Sequence, residues 1–205
     1  MIWKVCGMRD RENIEAILGL KPNLMGFIFY PKSKRYVGEN PQILRDVDFR
    51  TTGKVGVFVN EPIDSIQFKA DAFGLDFLQL HGDEDIDYVR QLAEDGRKII
   101  RVARIGERMP VDQLREEQEY VQYFLFDTQT SAYGGSGRVF DWRLLGAYQL
   151  ERPFLLSGGL GHENINEVLQ LDHTRLAGID VNSKYEIAPA LKNVEMIKEL
   201  ANTIK

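Results

Sequence analysis

Residues 123–142 read YFLFDTQTSAYGGSGRVFDW. The apolar run Tyr123-Phe124-Leu125-Phe126 ends in a carboxylate, Asp127. A small polar segment follows, then a knot of glycines (Gly134, Gly135, Gly137), then Phe140-Asp141-Trp142, which has the composition of a helix start. A short, almost uninterrupted apolar run reads as a parallel strand buried on both faces. Here that strand hands one acid to a glycine-rich loop.

The same unit recurs on either side. Apolar runs end at 4–7 and occupy 24–29, 54–59, 77–82, 98–103, 153–159 and 177–182. Helical spacing of apolar residues falls between them: Ile14, Ile17 and Leu18 behind an N-cap at Asp10, then Ile86, Val89 and Leu92, then Ile165, Val168 and Leu169. Pro62 is expected at the first position of a helix over 63–72. A weaker helix is expected over 41–47, a charged segment covers 111–120, and an amphipathic helix over 193–204 follows the last strand. Eight strand–helix units in 205 residues leave about 25 residues each, compact but sufficient for a barrel. The expected fold is therefore α/β, a single (β/α)8 TIM barrel over residues 1–205. The competing architecture, an open doubly wound sheet, usually carries G-x-G-x-x-G after its first strand. Cys6-Gly7-Met8-Arg9 does not.

Composition narrows the function. At 43% apolar residues the chain has enough material for a core, and no apolar run approaches the roughly 20 residues of a membrane span. Net charge is −5 with no basic block, so neither nucleic acid nor a membrane is an expected partner. The start reads as a strand rather than a signal peptide. One cysteine excludes an internal disulfide, and the three histidines stand too far apart in sequence for zinc spacing. The expected location is the cytoplasm, with no zinc site.

In a barrel of this kind, functional groups gather at the C-terminal ends of the strands. Those ends supply Cys6, Arg35, His81, Arg104, Asp127, Ser157-Gly158-Gly159 and Asp180-Val181-Asn182-Ser183. Each has a plain alternative. A lone cysteine is commonly a small buried hydrophobe, an acid can cap the next helix, and a glycine pair can mark only a tight turn. His81 can be a satisfied structural histidine, Arg35 a solvated charge, and Arg104 reads as structural. Glycines after strand seven and Asn182-Ser183 after strand eight stand where barrels frequently bind phosphate, because backbone N–H groups there can approach an anion.

Taken together, KVCGMRD, GFIFYPKSKRYV, VGVFVNEP, LQLHGDE, LFDTQTSAYGGSGRVFDW, LLSGGLGHENI and GIDVNSKYE resemble, in the same order and over nearly the whole chain, the phosphoribosylanthranilate isomerases of tryptophan biosynthesis. The resemblance implies a cofactor-free Amadori rearrangement of an aminoaldose to an aminoketose. It assigns the general acid to Asp127 and the general base to Cys6. Arg35 would pair with the anthranilate carboxylate, and His81 would line the anthranilate side. Gly158, Gly159, Asn182 and Ser183 would hold the phosphate, helped by Gly135, and Asp180 would sit on the same rim. Lys4 or Arg35 could lower the thiol pKa of Cys6. Barrels of this type occur as monomers or homodimers.

Three segments depart from the pattern. Lys184-Tyr185-Glu186 stands where Gly-Val-Glu is usual, which raises the question of an uncomfortable positive φ at Lys184 and of a cation added to the phosphate. Pro189-Ala190 replaces a Pro-Gly, and Ser157 replaces a common alanine. The rival readings are another phosphosugar isomerase and a phosphate-ligand binder without activity. A metal-dependent epimerase would need more histidines at strand ends. The histidine-pathway aminoaldose isomerase would show acids at the ends of strands one and five.

Overall fold

The computed structural model describes residues 1–129 and 139–204. Eight parallel strands follow one another in chain order and close into a barrel. They are β1 (Ile2–Val5), β2 (Leu24–Ile28), β3 (Gly53–Phe58), β4 (Phe77–Leu80), β5 (Ile99–Ile105), β6 (Tyr123–Thr128), β7 (Phe154–Leu156) and β8 (Leu176–Val181). β8 returns to β1 with Ile2 opposite Gly178 and Val5 opposite Val181, so the barrel itself has no unpaired edge. The expected TIM barrel is the observed fold.

Side chains alternate across each strand, and the alternation sorts the core into two shells. Leu24, Val55, Ile100, Val102, Leu125 and Leu155 fill the barrel interior as one buried cluster. Residues of opposite parity, such as Met25, Phe27, Leu80, Phe124, Phe126 and Ile179, pack outward against the helices. On β6 the inward parity runs Tyr123, Leu125, Asp127, so one further step beyond the apolar plug brings a carboxylate into the mouth. On β1 the same parity runs Ile2, Lys4, Cys6.

The helices are α1 (Arg11–Leu18), α2 (Ile63–Phe73), α3 (Ile86–Glu94), α4 (Val111–Glu117), α5 (Ile165–Leu169) and α6 (Val194–Ile204). Asp10 caps α1 by accepting from the Asn13 backbone N–H at 2.8 Å, and Asp85 caps α3 through Tyr88 at 2.9 Å. Pro62 stands at the cap of α2, one residue before its expected place. Having no N–H, it leaves nothing unsatisfied there. Residues 41–47 form only a 3-10 helix, Pro41–Leu44, and the positive φ of 60° at Asp46 prevents its extension. After β6 the described residues hold another 3-10 helix, Trp142–Ala147. Tyr148 follows it and packs edge-on to Phe126 at 5.1 Å, while Phe126 stacks on Phe154 at 4.5 Å. An aromatic cluster thus covers β6 and β7 where a longer helix is expected.

One element has no counterpart in the sequence reading. Beyond β8, a 3-10 turn (Ser183–Tyr185) leads into an antiparallel hairpin of β9 (Glu186–Ala188) and β10 (Leu191–Lys192), with Lys192 opposite Glu186. No helix among the described residues is long and apolar enough to cross a membrane.

Candidate active site

The strand ends enclose a cavity of about 790 Å³, open mouth included. Cys6, Arg35, His81, Asp127, Gly158, Gly159, Asp180, Asn182 and Ser183 all line it. Gly135, also expected at the site, lies outside the described residues.

On the β1 side, Cys6 is a buried free thiol. Gly26 of β2 makes room for it, since a Cβ there would stand 2.7 Å from Cys6 Sγ. One inward step deeper, Lys4 Nζ meets Asp180 Oδ1 at 3.0 Å, both side chains buried. Burial presses the Lys4 ammonium toward neutrality, but Asp180 and Cys6 outweigh it and the net shift is upward, so Lys4 stays charged. Burial pushes the Asp180 carboxyl up, against the pull of Lys4. Burial also pushes the Cys6 thiol up, and neither Lys4 nor Lys192 reverses it. The cation expected beside the thiol is therefore present in Lys4. The lowered pKa expected from it is not, because desolvating a thiolate costs more than the ammonium returns.

On the β6 side, Asp127 Oδ1 accepts from the Thr128 backbone N–H at 2.8 Å, and Oδ2 lies 3.5 Å from His81 Nε2. Gly158 and Gly159 have φ of 83° and 66°. A Cβ on Gly158 would come within 2.6 Å of Asp127 Oδ1 and 2.5 Å of Thr128 Oγ1. Glycine is thus required at 158 twice, by conformation and by space. Gln79, two residues before His81 and on the same face of β4, is buried. Its Nε2 lies 3.4 Å from His81 Nδ1, while its Oε1 has no hydrogen-bond partner among the described residues. Arg104 is the register partner of Asp127 but reaches the Asp83 carboxylate, consistent with a structural reading.

Beside Gly7 stands Arg35, which already grips a carboxylate. Its Nε donates to Glu186 Oε1 at 2.8 Å and its Nη2 to Oε2 at 2.6 Å. Burial works against ionisation of Glu186, but Arg35 and Lys192 hold its carboxyl below the usual range. Lys192 Nζ donates to Glu186 Oε1 at 2.6 Å and to Asn182 Oδ1 at 2.9 Å.

The departures from the family pattern fall in different settings. Lys184 lies in the 3-10 turn, is not among the positive-φ residues, and pairs with Glu163 at 2.7 Å at the edge of the cavity. The strained backbone is at Ala190 instead, buried with φ of 69°. Ser157 lines the cavity. Sequence reasoning missed Gln79, Glu186 and Lys192. For Gln79 a signal existed, because two-residue spacing from His81 puts both on one face. For the other two, only the hairpin brings them near the site.

The model of the family described as N-(5'phosphoribosyl)anthranilate (PRA) isomerase matches residues 3–203. An N-(5'-phosphoribosyl)anthranilate isomerase of Parabacteroides distasonis is 44% identical over 206 aligned residues, covering 100% of this chain and 93% of the relative. The crystal structure of the Thermotoga maritima phosphoribosyl anthranilate isomerase superposes with a TM-score of 0.84 at 33% identity, covering 100% of this chain and 98% of the other. A structure of the isomerase in complex with reduced 1-(o-carboxyphenylamino)-1-deoxyribulose 5-phosphate gives a TM-score of 0.81 at 30% identity, again over 100% of this chain and 98% of the other.

Proposed function

We propose, from the premise that this chain belongs to the N-(5'-phosphoribosyl)anthranilate isomerase family, that Asp127 and Cys6 divide its acid and base chemistry. The enzyme is an aldose–ketose isomerase of tryptophan biosynthesis. It converts N-(5-phosphoribosyl)anthranilate to 1-(o-carboxyphenylamino)-1-deoxyribulose 5-phosphate.

Asp127 gives a proton to the furanose ring oxygen, the C1–O bond breaks, and the anilinic nitrogen forms a cationic Schiff base. Cys6 then takes the proton from sugar C2. The electrons of that C–H bond form the C1–C2 double bond and neutralise the nitrogen, leaving an enolamine. Protonation at C1 and loss of the 2-hydroxyl proton complete the ketone. These are proton transfers throughout, so the sequence of steps balances without a redox partner.

The observation that carries this reading is the placement of Cys6 and Asp127 on one cavity, with anion-binding groups around them. Arg35 suits the anthranilate carboxylate, as a planar fork that binds carboxylates well. The turn at Gly158 and Gly159, with Asn182 and Ser183, suits the phosphate. His81 lines the aromatic side and steadies Asp127, and Asp180 holds Lys4 beneath the thiol. A resting thiol with a raised pKa is a poor base. The positive charge of the Schiff base, once formed, favours its thiolate. We take the whole chain as one catalytic domain, acting as a monomer or homodimer in the cytoplasm.

Loss of anthranilate-adduct fluorescence, with freshly made substrate, measures turnover directly. Cys6→Ala and Asp127→Asn should each lower kcat by about 10²–10⁴-fold. An undiminished kcat for Asp127→Asn would overturn the role given to Asp127.

A further inference from the structure

The groups read as binding the two ends of the substrate come from distant parts of the chain, Arg35 after β2 and Asn182 after β8. They are nevertheless held by one device. Glu186 accepts from Arg35 Nε at 2.8 and 3.0 Å and from Nη2 at 2.6 Å. It also accepts from Lys192 Nζ at 2.6 Å and from the Ala190 N–H at 3.1 Å. Lys192 passes a second hydrogen bond to Asn182 Oδ1 at 2.9 Å. The main chain of Lys192 is itself fixed, since its N–H donates to Asn13 Oδ1 at 2.8 Å and its carbonyl accepts from Asn13 Nδ2 at 2.9 Å, both buried. Gly7 closes the gap in front. A Cβ there would stand 2.7 Å from Asn182 Oδ1 and 2.8 Å from Arg35 Cδ.

Two consequences follow from elementary chemistry. With an ammonium on its oxygen, the Asn182 amide keeps its NH₂ end for the cavity, and that end donates to anionic oxygen. Burial lowers the Lys192 pKa against the pull of Glu186; while its ammonium is protonated, two cations and one carboxylate leave a net positive charge beside the cavity. An isolated Arg35–Glu186 pair would be neutral and would hold an incoming carboxylate poorly.

We propose that Glu186 and Lys192, on the β9–β10 hairpin, form a brace that sets both anion-binding side chains at once, Arg35 for the carboxylate end of the substrate and Asn182 for the phosphate end. Both are positioning residues. The proposal deepens the assignment of Arg35 and Asn182 made above and rests on it. Neither end of the substrate changes charge during the rearrangement, so the brace contributes uniform binding and acts on KM rather than on kcat.

The experiment is steady-state kinetics on Glu186→Gln and Lys192→Met, with inorganic phosphate and anthranilate as separate competitive probes. Lys192→Met should raise KM and the inhibition constant of phosphate on the order of tenfold, the size of a lost charge-assisted hydrogen bond. Glu186→Gln, which is isosteric, adds net positive charge but takes the bidentate anchor from Arg35, so KM should rise and anthranilate weaken by a similar factor; tighter anthranilate would overturn the proposal. In both variants kcat should stay within about twofold of wild type. Lowered thermal stability with KM and both inhibition constants unchanged would overturn the proposal, since a merely structural ion network gives that result. If Lys192→Met does not fold, Glu186→Gln alone decides by the same criteria. Intact KM values in the brace variants, beside a disabled Asp127→Asn, would remove the brace and leave the acid–base reading standing. An active Asp127→Asn beside raised KM values would do the reverse.

Discussion

The two sides of the cavity mouth present their reactive groups in opposite ways. Around Cys6 everything is enclosed: the thiol is 4% exposed, Gly26 packs on its sulfur, and Lys4 and Asp180 face each other beneath it, almost without solvent contact. Asp127 is 16% exposed, takes one backbone hydrogen bond, and has His81 at 3.5 Å. Enclosure therefore governs the resting thiol, since burial raises its pKa and the nearby ammonium groups do not reverse that. Asp127, on the open side, lines the cavity and faces whatever enters it.

The sharpest way to break this contrast is Lys4→Met. It strands Asp180 as an unpaired buried carboxylate, a change that typically costs about 3–5 kcal/mol, read as a lowered urea midpoint. A loss under about 1 kcal/mol would mean that the enclosed side does not depend on its ion pair.

Gly158→Ala probes the open side. The added methyl meets Asp127 Oδ1 at 2.6 Å in a left-handed backbone conformation. About 1–3 kcal/mol of stability should go, together with kcat as the carboxylate moves. Ala190→Gly is its control, at the comparable φ of 69°. Relief of about 1–2 kcal/mol of left-handed strain is offset by about 0.8 kcal/mol of lost methyl burial. It is offset further by about 0.4–1 kcal/mol of added freedom in the unfolded chain. The net change should stay under about 1 kcal/mol. Equal effects at the two sites would show that crowding against Asp127 does not matter.

A third probe is the pH dependence of Cys6 alkylation in the free enzyme. Burial raises the thiol pKa, so the thiolate is scarce at neutral pH and reaction should accelerate only above the ordinary thiol value of about 8.5. Rapid alkylation at pH 7 would place the thiolate in the resting enzyme and remove the need for the Schiff-base charge.

Much of this site was legible from strand ends. Period-two alternation carries Leu125 to Asp127 and Lys4 to Cys6, and each parallel strand announces itself because both faces are buried. What escaped is what closure and burial decide. Lys4 and Asp180 are 176 positions apart and meet only because β8 returns to β1. The cation beside the thiol could be named from sequence, but the desolvation that defeats it could not. β9 and β10 have three and two residues and leave Ile187 and Leu191 exposed, so no apolar period marks them. Yet they deliver Glu186 and Lys192. The helices expected over 41–47 and from Phe140-Asp141-Trp142 have their caps at Asn40 and Asp141 but shorten to 3-10 turns.

The division of labour itself is most directly tested by the kinetic isotope effect on kcat for substrate deuterated at sugar C2, compared between Cys6→Ala and Asp127→Asn. With the base removed, C2–H cleavage limits turnover, and a full primary effect is expected. With the acid removed, ring opening limits turnover and the effect should collapse toward unity. A large effect in Asp127→Asn with none in Cys6→Ala would contradict the assignment of acid and base.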